Sequence, residues 1–122
     1  LEMASLMRKS SDITELVNPN NVKVVCDSRG DALYFSRSPI PYSGEATPRY
    51  IHIGVYAYRR DVLLRYLDNP PSPLERAERL EQLRSLENGV RIKMIETSNC
   101  PLSINNTQDL EKAREILGRK EN

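Results

Sequence analysis

The sequence predicts an α/β domain built as a mixed sheet with flanking helices. Three observations carry that expectation. Tyr50 to Tyr58 alternates strictly, sending Ile51, Ile53, Val55 and Ala57 to one face and His52, Gly54, Tyr56 and Tyr58 to the other. Ser72-Pro73-Leu74-Glu75 carries the signals of a helix start, a Ser-x-x-Glu capping box with proline at the first helical position. Two β-rich runs, Val22 to Cys26 and Ala32 to Ser36, flank Asp27-Ser28-Arg29-Gly30, a loop of hairpin length whose glycine takes positive φ. Strands alternating with helices argue for a layered α/β structure, and the hairpin adds antiparallel pairing.

Leu1 to Met7 alternates weakly with no turn signal before it, so the chain reads as starting inside a strand continued from further sequence. Ser11-Asp12 caps a short helix through Val17, which Asn18-Pro19-Asn20-Asn21 ends with turn residues. After the hairpin, residues 39–49 hold three prolines and a Ser-Gly pair, a composition that suits a loop. Beyond the 50–58 strand, Val62, Leu63, Tyr66 and Leu67 lie at helical spacing over 61–68, and Asp68-Asn69-Pro70-Pro71 stops that helix. The helix opened by Ser72 has a stripe of Leu74, Ala77, Leu80 and Leu83, a bend or break before Glu81, and a close at Asn88-Gly89. Val90 to Glu96 is a short strand, 97–103 a loop, and 106–117 a final helix with Leu110, Ala113, Ile116 and Leu117 on one face.

At 122 residues and net charge +1, the chain suits one domain, able to bury roughly two-thirds of its unfolded surface without disulfides or metal. Without a long basic stripe, nucleic acid is not an expected partner. No apolar run approaches the roughly 20 residues of a membrane span, so no membrane partner is expected. Lacking a signal-peptide pattern, the sequence is expected to be cytoplasmic. Cys26 and Cys100 belong to no Cys-x-x-Cys or Cys/His cluster and read as reduced, small hydrophobes.

The candidate chemistry centres on the strand. His52 and Tyr56 put an imidazole and a phenol on one face, about 13 Å apart at regular strand rise. Gly54 between them leaves room for a ligand. The odd-numbered face then reads as core and the even-numbered face as a binding floor. Taken alone, the pattern also fits a partly exposed sheet face with a structural histidine. Arg37 follows a strand end and precedes the proline-rich loop, where a guanidinium can hold a carboxylate bidentately. Glu81 and Gln82 offer acceptors and an amide donor for sugar hydroxyls, or a solvated helix face.

These segments occur in a recognisable order: Asn18-Pro19, Val22-Lys23-Val24-Val25, Ala32-Leu33-Tyr34-Phe35-Ser36-Arg37, the histidine strand, Pro71-Ser72-Pro73-Leu74-Glu75 and Leu80-Glu81-Gln82-Leu83-Arg84. The chain thereby resembles the carboxy-terminal half of the 3-deoxy-manno-octulosonate (Kdo) cytidylyltransferases, which make CMP-Kdo for lipopolysaccharide. The resemblance implies a partial nucleotidyltransferase-like fold and a single sugar-acid-binding and dimerisation unit over 1–122. It also implies a Kdo pocket using Arg37, His52, Tyr56, Glu81 and Gln82. In the complete enzyme the anomeric hydroxyl of Kdo attacks the α-phosphorus of CTP with the help of magnesium. The family's glycine-rich CTP loop belongs to the amino-terminal half, which this sequence does not resemble. Where the family reads Gly-Val-Asp-Thr-Pro-Glu-Asp-Leu, this chain reads Ser103-Ile104-Asn105-Asn106-Thr107-Gln108-Asp109-Leu110, so Asn105 stands at the metal-binding aspartate. An amide is a poorer magnesium ligand than a carboxylate, and Asp109 reads as a helix-start acid. The expectation is a half-enzyme inactive and metal-free alone, acting with an amino-terminal half, or a non-catalytic dimeric module derived from that family.

Overall fold

A computed structural model describes residues 1–42 and 48–98. The expected final helix, Cys100, Asn105 and Asp109 lie outside the described residues. Five strands form one mixed sheet: β1 (Met3–Ser10), β2 (Lys23–Cys26), β3 (Ala32–Ser36), β4 (Arg49–Tyr58) and β5 (Ile92–Glu96), in the order β3-β2-β4-β1-β5. The helices are α1 (Ile13–Val17), α2 (Arg60–Asp68), α3 (Pro73–Glu78) and α4 (Gln82–Glu87). β1 pairs antiparallel with β4 and parallel with β5, and the β2–β3 hairpin joins antiparallel to β4. The α/β class and the mixed sheet agree with the sequence.

β1 runs three residues beyond the expected Met7 and is an interior strand. Met3, Ala4, Ser5 and Met7 are all buried: the odd-numbered side chains face the core and the small Ala4 is flanked by β4 and β5, which masks the alternation a half-buried strand would show. The hairpin turn follows its chemistry. Asp27 Oδ1 accepts the N–H groups of Arg29 and Asp31 at 2.8 and 3.0 Å, and Gly30 sits at φ 86°.

The even-numbered face of β4 is not a bare floor. Register places Tyr58 opposite Met3 and His52 opposite Met7, and the main core of Met3, Met7, Phe35, Val62, Leu83 and Ile92 lies on that side with Tyr56 and Tyr58 packed against it. On the other face Ile51 and Ile53 are buried, whereas Val55 and Ala57 are exposed. Arg8, opposite Ile51, bonds both carboxylate oxygens of Glu15, which lays α1 over only that end of the sheet.

Helix α3 starts as expected: Pro73 is at its first turn and the Ser72 N–H donates to Glu75 Oε1 at 3.1 Å. The expected single buried stripe does not form. Arg79 takes a left-handed conformation, φ 59° and ψ 46°, and ends α3. That break turns Leu80 and Leu83 into the core while Leu74 and Ala77 stay exposed. In their place α3 buries Glu75, gripped by Arg84 through Nε to Oε1 at 2.8 Å and Nη2 to Oε2 at 2.7 Å. On α2 only Val62 is buried; Leu63 and Leu67 face outward.

Candidate functional site

The site begins with an irregularity in β4. Ser5 of β1 faces Tyr56, but the next residue, Leu6, faces Ile53, so Gly54 and Val55 bulge out of the ladder. Ser5 is 2% exposed, and its hydroxyl lies 2.8 Å from Val55 O and 3.2 Å from Ile53 O. The same oxygen lies 2.7 Å from His52 Nε2. A hydroxyl has one proton to give. With that proton on the bulge carbonyls, Ser5 Oγ accepts from His52, which fixes the ring with hydrogen on Nε2 and a lone pair on Nδ1.

The bulge also corrects the expected spacing. His52 and Tyr56 oppose Met7 and Ser5, only two β1 residues apart, and their ring centroids are 5.4 Å apart. Regular rise over four residues overestimates the separation because two of the four leave the ladder. The His52 ring also meets Phe35 edge-on at 4.9 Å. Burial drops its pKa from 6.5 to about 4, so the imidazole is neutral at pH 7. Gly54 is exposed, and a Cβ there would meet nothing within 4 Å, so the space it leaves is open solvent side rather than a ligand slot.

Next to this pair, Tyr56, Tyr58, Tyr66, Arg79, Leu80, Glu81 and Gln82 line an open cleft of about 290 Å³. The α3–α4 break creates it: the left-handed turn at Arg79 buries Leu80 and brings Glu81 and Gln82 against the tyrosines of β4. Tyr66 is held from behind by Arg84, whose guanidinium carbon sits 4.2 Å from the ring centroid. Burial raises the pKa of Tyr56, and the Tyr58, Glu81 and Tyr66 groups add to the rise. Tyr58 and Tyr66 are raised chiefly by burial as well. All three are neutral phenols able to donate and accept.

None of those three hydroxyls hydrogen-bonds to a described residue, nor does the Glu81 carboxylate. Gln82 is 6% exposed as a whole, and its amide atoms, which still reach solvent, hydrogen-bond to no described residue. The amide borders a cleft in which a ligand's hydroxyls would satisfy it.

Of the residues singled out from sequence, Tyr56, Glu81 and Gln82 therefore share one cleft, and His52 backs Tyr56. Arg37 does not line it. Its Nε donates to Glu78 O at 2.9 Å, Nη1 to Pro19 O at 2.9 Å and Nη2 to Arg79 O at 3.2 Å. One N–H remains on each terminal nitrogen. Glu78 is the other half of this brace, accepting from Tyr34 Oη at 2.9 Å and from the Arg37 N–H at 3.2 Å. Sequence reasoning did not place Tyr58, Tyr66 or Arg79 in the site. Tyr58 shares the parity of His52 and carried a usable signal; Tyr66 read as helix core. A non-glycine residue in the left-handed region has no local sequence signature. Among the described residues no group of three or more His, Cys, Asp or Glu side chains could hold a metal ion.

The sheet order, the braced α3–α4 break and the polar cleft define a nucleotidyltransferase-like α/β unit, and the cytidylyltransferase family matches residues 2–92. The chain belongs to that family. Among curated relatives it is similar to the 3-deoxy-manno-octulosonate cytidylyltransferase of Solibacter usitatus, 49% identical over 118 residues, covering 94% of this chain and 47% of that protein. The enzyme of the same name from Flavobacterium johnsoniae is 52% identical over 120 residues, covering 96% and 49%. A solved structure of CMP:2-keto-3-deoxy-manno-octonic acid synthetase complexed with CTP matches with a TM-score of 0.84 at 41% identity, over 98% of this chain and 50% of that one. The chain thus spans about half the length of the relatives it matches. No helix among the described residues is long and apolar enough to cross a membrane.

Proposed function

We propose that this chain forms the sugar-acid half of a CMP-Kdo synthetase, in which CTP and Kdo give CMP-Kdo and pyrophosphate for lipopolysaccharide synthesis in the cytoplasm. The observation that carries the reading is the cleft's unspent hydrogen bonding. Three phenols, the Gln82 amide and the Glu81 carboxylate surround one space and bond to no described residue. A polyhydroxylated acid answers that set group for group. In this reading Tyr56, Glu81 and Gln82 take the sugar hydroxyls. Neutral His52 holds Tyr56 in place and offers Nδ1 as an acceptor, and Arg37, outside the cleft, braces its α3–α4 wall through the Arg79 carbonyl.

The chain's contribution is positioning. A sugar fixed in the cleft presents its anomeric hydroxyl to the α-phosphorus of CTP in one orientation, which removes much of the entropic barrier to a bimolecular displacement. CTP is bound by an amino-terminal half, and magnesium in the assembled enzyme supplies charge neutralisation on the phosphates. Among the described residues no cluster of His, Cys, Asp or Glu could hold that magnesium, and Asn105 would offer a neutral oxygen where a carboxylate would serve better. Self-association belongs to the same reading: Leu33, Val55 and Ile95 are 61%, 58% and 50% exposed, apolar surface that a second copy would cover.

The test follows pyrophosphate release from CTP and Kdo with magnesium. The chain alone should be inactive. Co-expressed with the amino-terminal half of the Solibacter usitatus relative, it should turn over, and Gln82→Leu should reduce that turnover at least tenfold, an effect of about 1.4 kcal/mol. Sustained turnover by the chain alone, or an assembled enzyme indifferent to Gln82→Leu, would overturn the proposal.

A further inference from the structure

The turn that builds the cleft is held from outside it, by a carboxylate that the reading above does not use. Glu78 is the last residue of α3 and stands directly before Arg79, whose backbone is left-handed at φ 59°. The Glu78 carboxylate collects donors from the end of β3: Tyr34 Oη on Oε2 at 2.9 Å, the Arg37 N–H on Oε1 at 3.2 Å, and the Ser36 hydroxyl. The exchange runs both ways, because Arg37 Nε donates back to Glu78 O at 2.9 Å and Nη2 to Arg79 O at 3.2 Å. Arg37 is anchored in turn, its own carbonyl accepting from the buried Lys23 Nζ at 2.5 Å. Burial raises the pKa of Glu78, but the Ser36, Arg37 and Tyr34 bonds outweigh it and hold the carboxyl below its usual range, so the clasp is charged at neutral pH. None of these clasp residues lines the cleft.

Resting on the sugar-acid reading above, we propose that Glu78 is a positioning residue for this cleft: by clasping the end of β3 it fixes the left-handed turn, and with it the placement of Glu81 and Gln82 opposite the β4 tyrosines. A residue other than glycine occupies the left-handed region only where its surroundings hold it there. Leu80, Glu81 and Gln82 follow that residue directly, so a rotation at Arg79 swings all three relative to Tyr56 and Tyr58. The clasp refers the turn to the sheet itself, since β3 joins β4 through β2. A sugar then meets partners already in place, which lowers the ordering cost of binding. Glutamate suits the task because its two oxygens serve several donors at once and its charge strengthens each bond.

The experiment titrates the 122-residue chain and its variants with Kdo, at a temperature where each is fully folded, and reads affinity from NMR shifts. Glu78→Ala should weaken Kdo about tenfold and, before any sugar is added, displace the resonances of Leu80, Glu81 and Gln82. Glu78→Gln keeps a carbonyl acceptor for the Arg37 N–H and should recover most of the affinity. Tyr34→Phe removes a single bond of the clasp, far from any sugar contact, and should weaken Kdo about threefold. Val24→Ala opens a cavity in the core away from the clasp; it should lower Tm and leave the affinity unchanged, which separates positioning from stability. Equal Kdo affinity in the unaltered chain and Glu78→Ala, or as large a loss in Val24→Ala as in Glu78→Ala, would overturn the role of Glu78 alone. Should Glu78→Ala fail to fold, unchanged affinity in Tyr34→Phe would overturn it equally. An unaltered chain that binds no Kdo would overturn the sugar-acid reading beneath it.

Discussion

Replacing Ser5 with alanine should destabilise this fold far more than the loss of one small surface-type side chain would suggest. The hydroxyl is buried at 2% exposure and serves three groups at once: Val55 O at 2.8 Å, Ile53 O at 3.2 Å and His52 Nε2 at 2.7 Å. Ser5→Ala removes one donated and one accepted hydrogen bond, taking this partner from the bulge carbonyls and from the half-buried His52 ring N–H. An unsatisfied buried group costs about 1–3 kcal/mol, so the expected loss is about 3 kcal/mol. That is a large share of the roughly 5–15 kcal/mol typical of a domain. Urea unfolding reads it directly: with a slope of about 1.5 kcal/mol/M the midpoint should fall by about 2 M. Ser5→Thr, which keeps the hydroxyl, should lose much less. A second readout is the His52 ring, whose NMR signals should lose the single Nε2–H tautomer in Ser5→Ala. A destabilisation below about 0.5 kcal/mol, with the tautomer unchanged, would show that Ser5 does not hold the bulge.

Three further outcomes follow from the same geometry. His52 is neutral in the fold because burial lowers its pKa from 6.5 to about 4, whereas the unfolded chain takes up the proton below 6.5. Stability should therefore fall as pH drops from about 6.5 to 4, at up to about 1.4 kcal/mol per pH unit and about 3 kcal/mol in all; Tm measured against pH should flatten in this window for His52→Gln. Lys23 is fully buried, with Nζ donating to the carbonyls of Asn18, Asn21 and Arg37 at 3.0, 2.5 and 2.5 Å. Lys23→Met should cost about 3 kcal/mol in urea unfolding by orphaning those carbonyls, and an unchanged midpoint would refute the cage. Sedimentation should give a dimer or larger species, and a compact monomer at all workable concentrations would count against self-association.

The strands and caps were legible because they rest on local chemistry. The Asp27–Gly30 turn, the Ser72-Pro73 helix start and the alternation of β4 each state their geometry within a few residues. The break before Glu81 was legible too, but its consequence was not. A left-handed arginine redirects the chain, and it exposes Leu74 and Ala77 while burying Glu75, which only its pairing with Arg84 makes tolerable. The 13 Å reading of the His52–Tyr56 spacing failed for a similar reason. The bulge depends on a serine 48 and 50 residues away from the two carbonyls it caps, a tertiary contact with no local trace. Within the site, Tyr56, Glu81 and Gln82 came from residue type and resemblance; Tyr66 and Arg79 required the fold to bring α2 and the α3–α4 turn together.

The most direct test of the sugar-acid cleft is a titration of the isotopically labelled chain with Kdo, read residue by residue. Shifts should concentrate at Tyr56, Glu81 and Gln82, with His52 following through its contact with Tyr56 at 5.4 Å. Binding should be weak, since the nucleotide that completes the pocket is absent, yet it should saturate with one affinity at all these positions. Small shifts scattered over the surface, with the cleft residues unmoved at saturating sugar, would contradict the account.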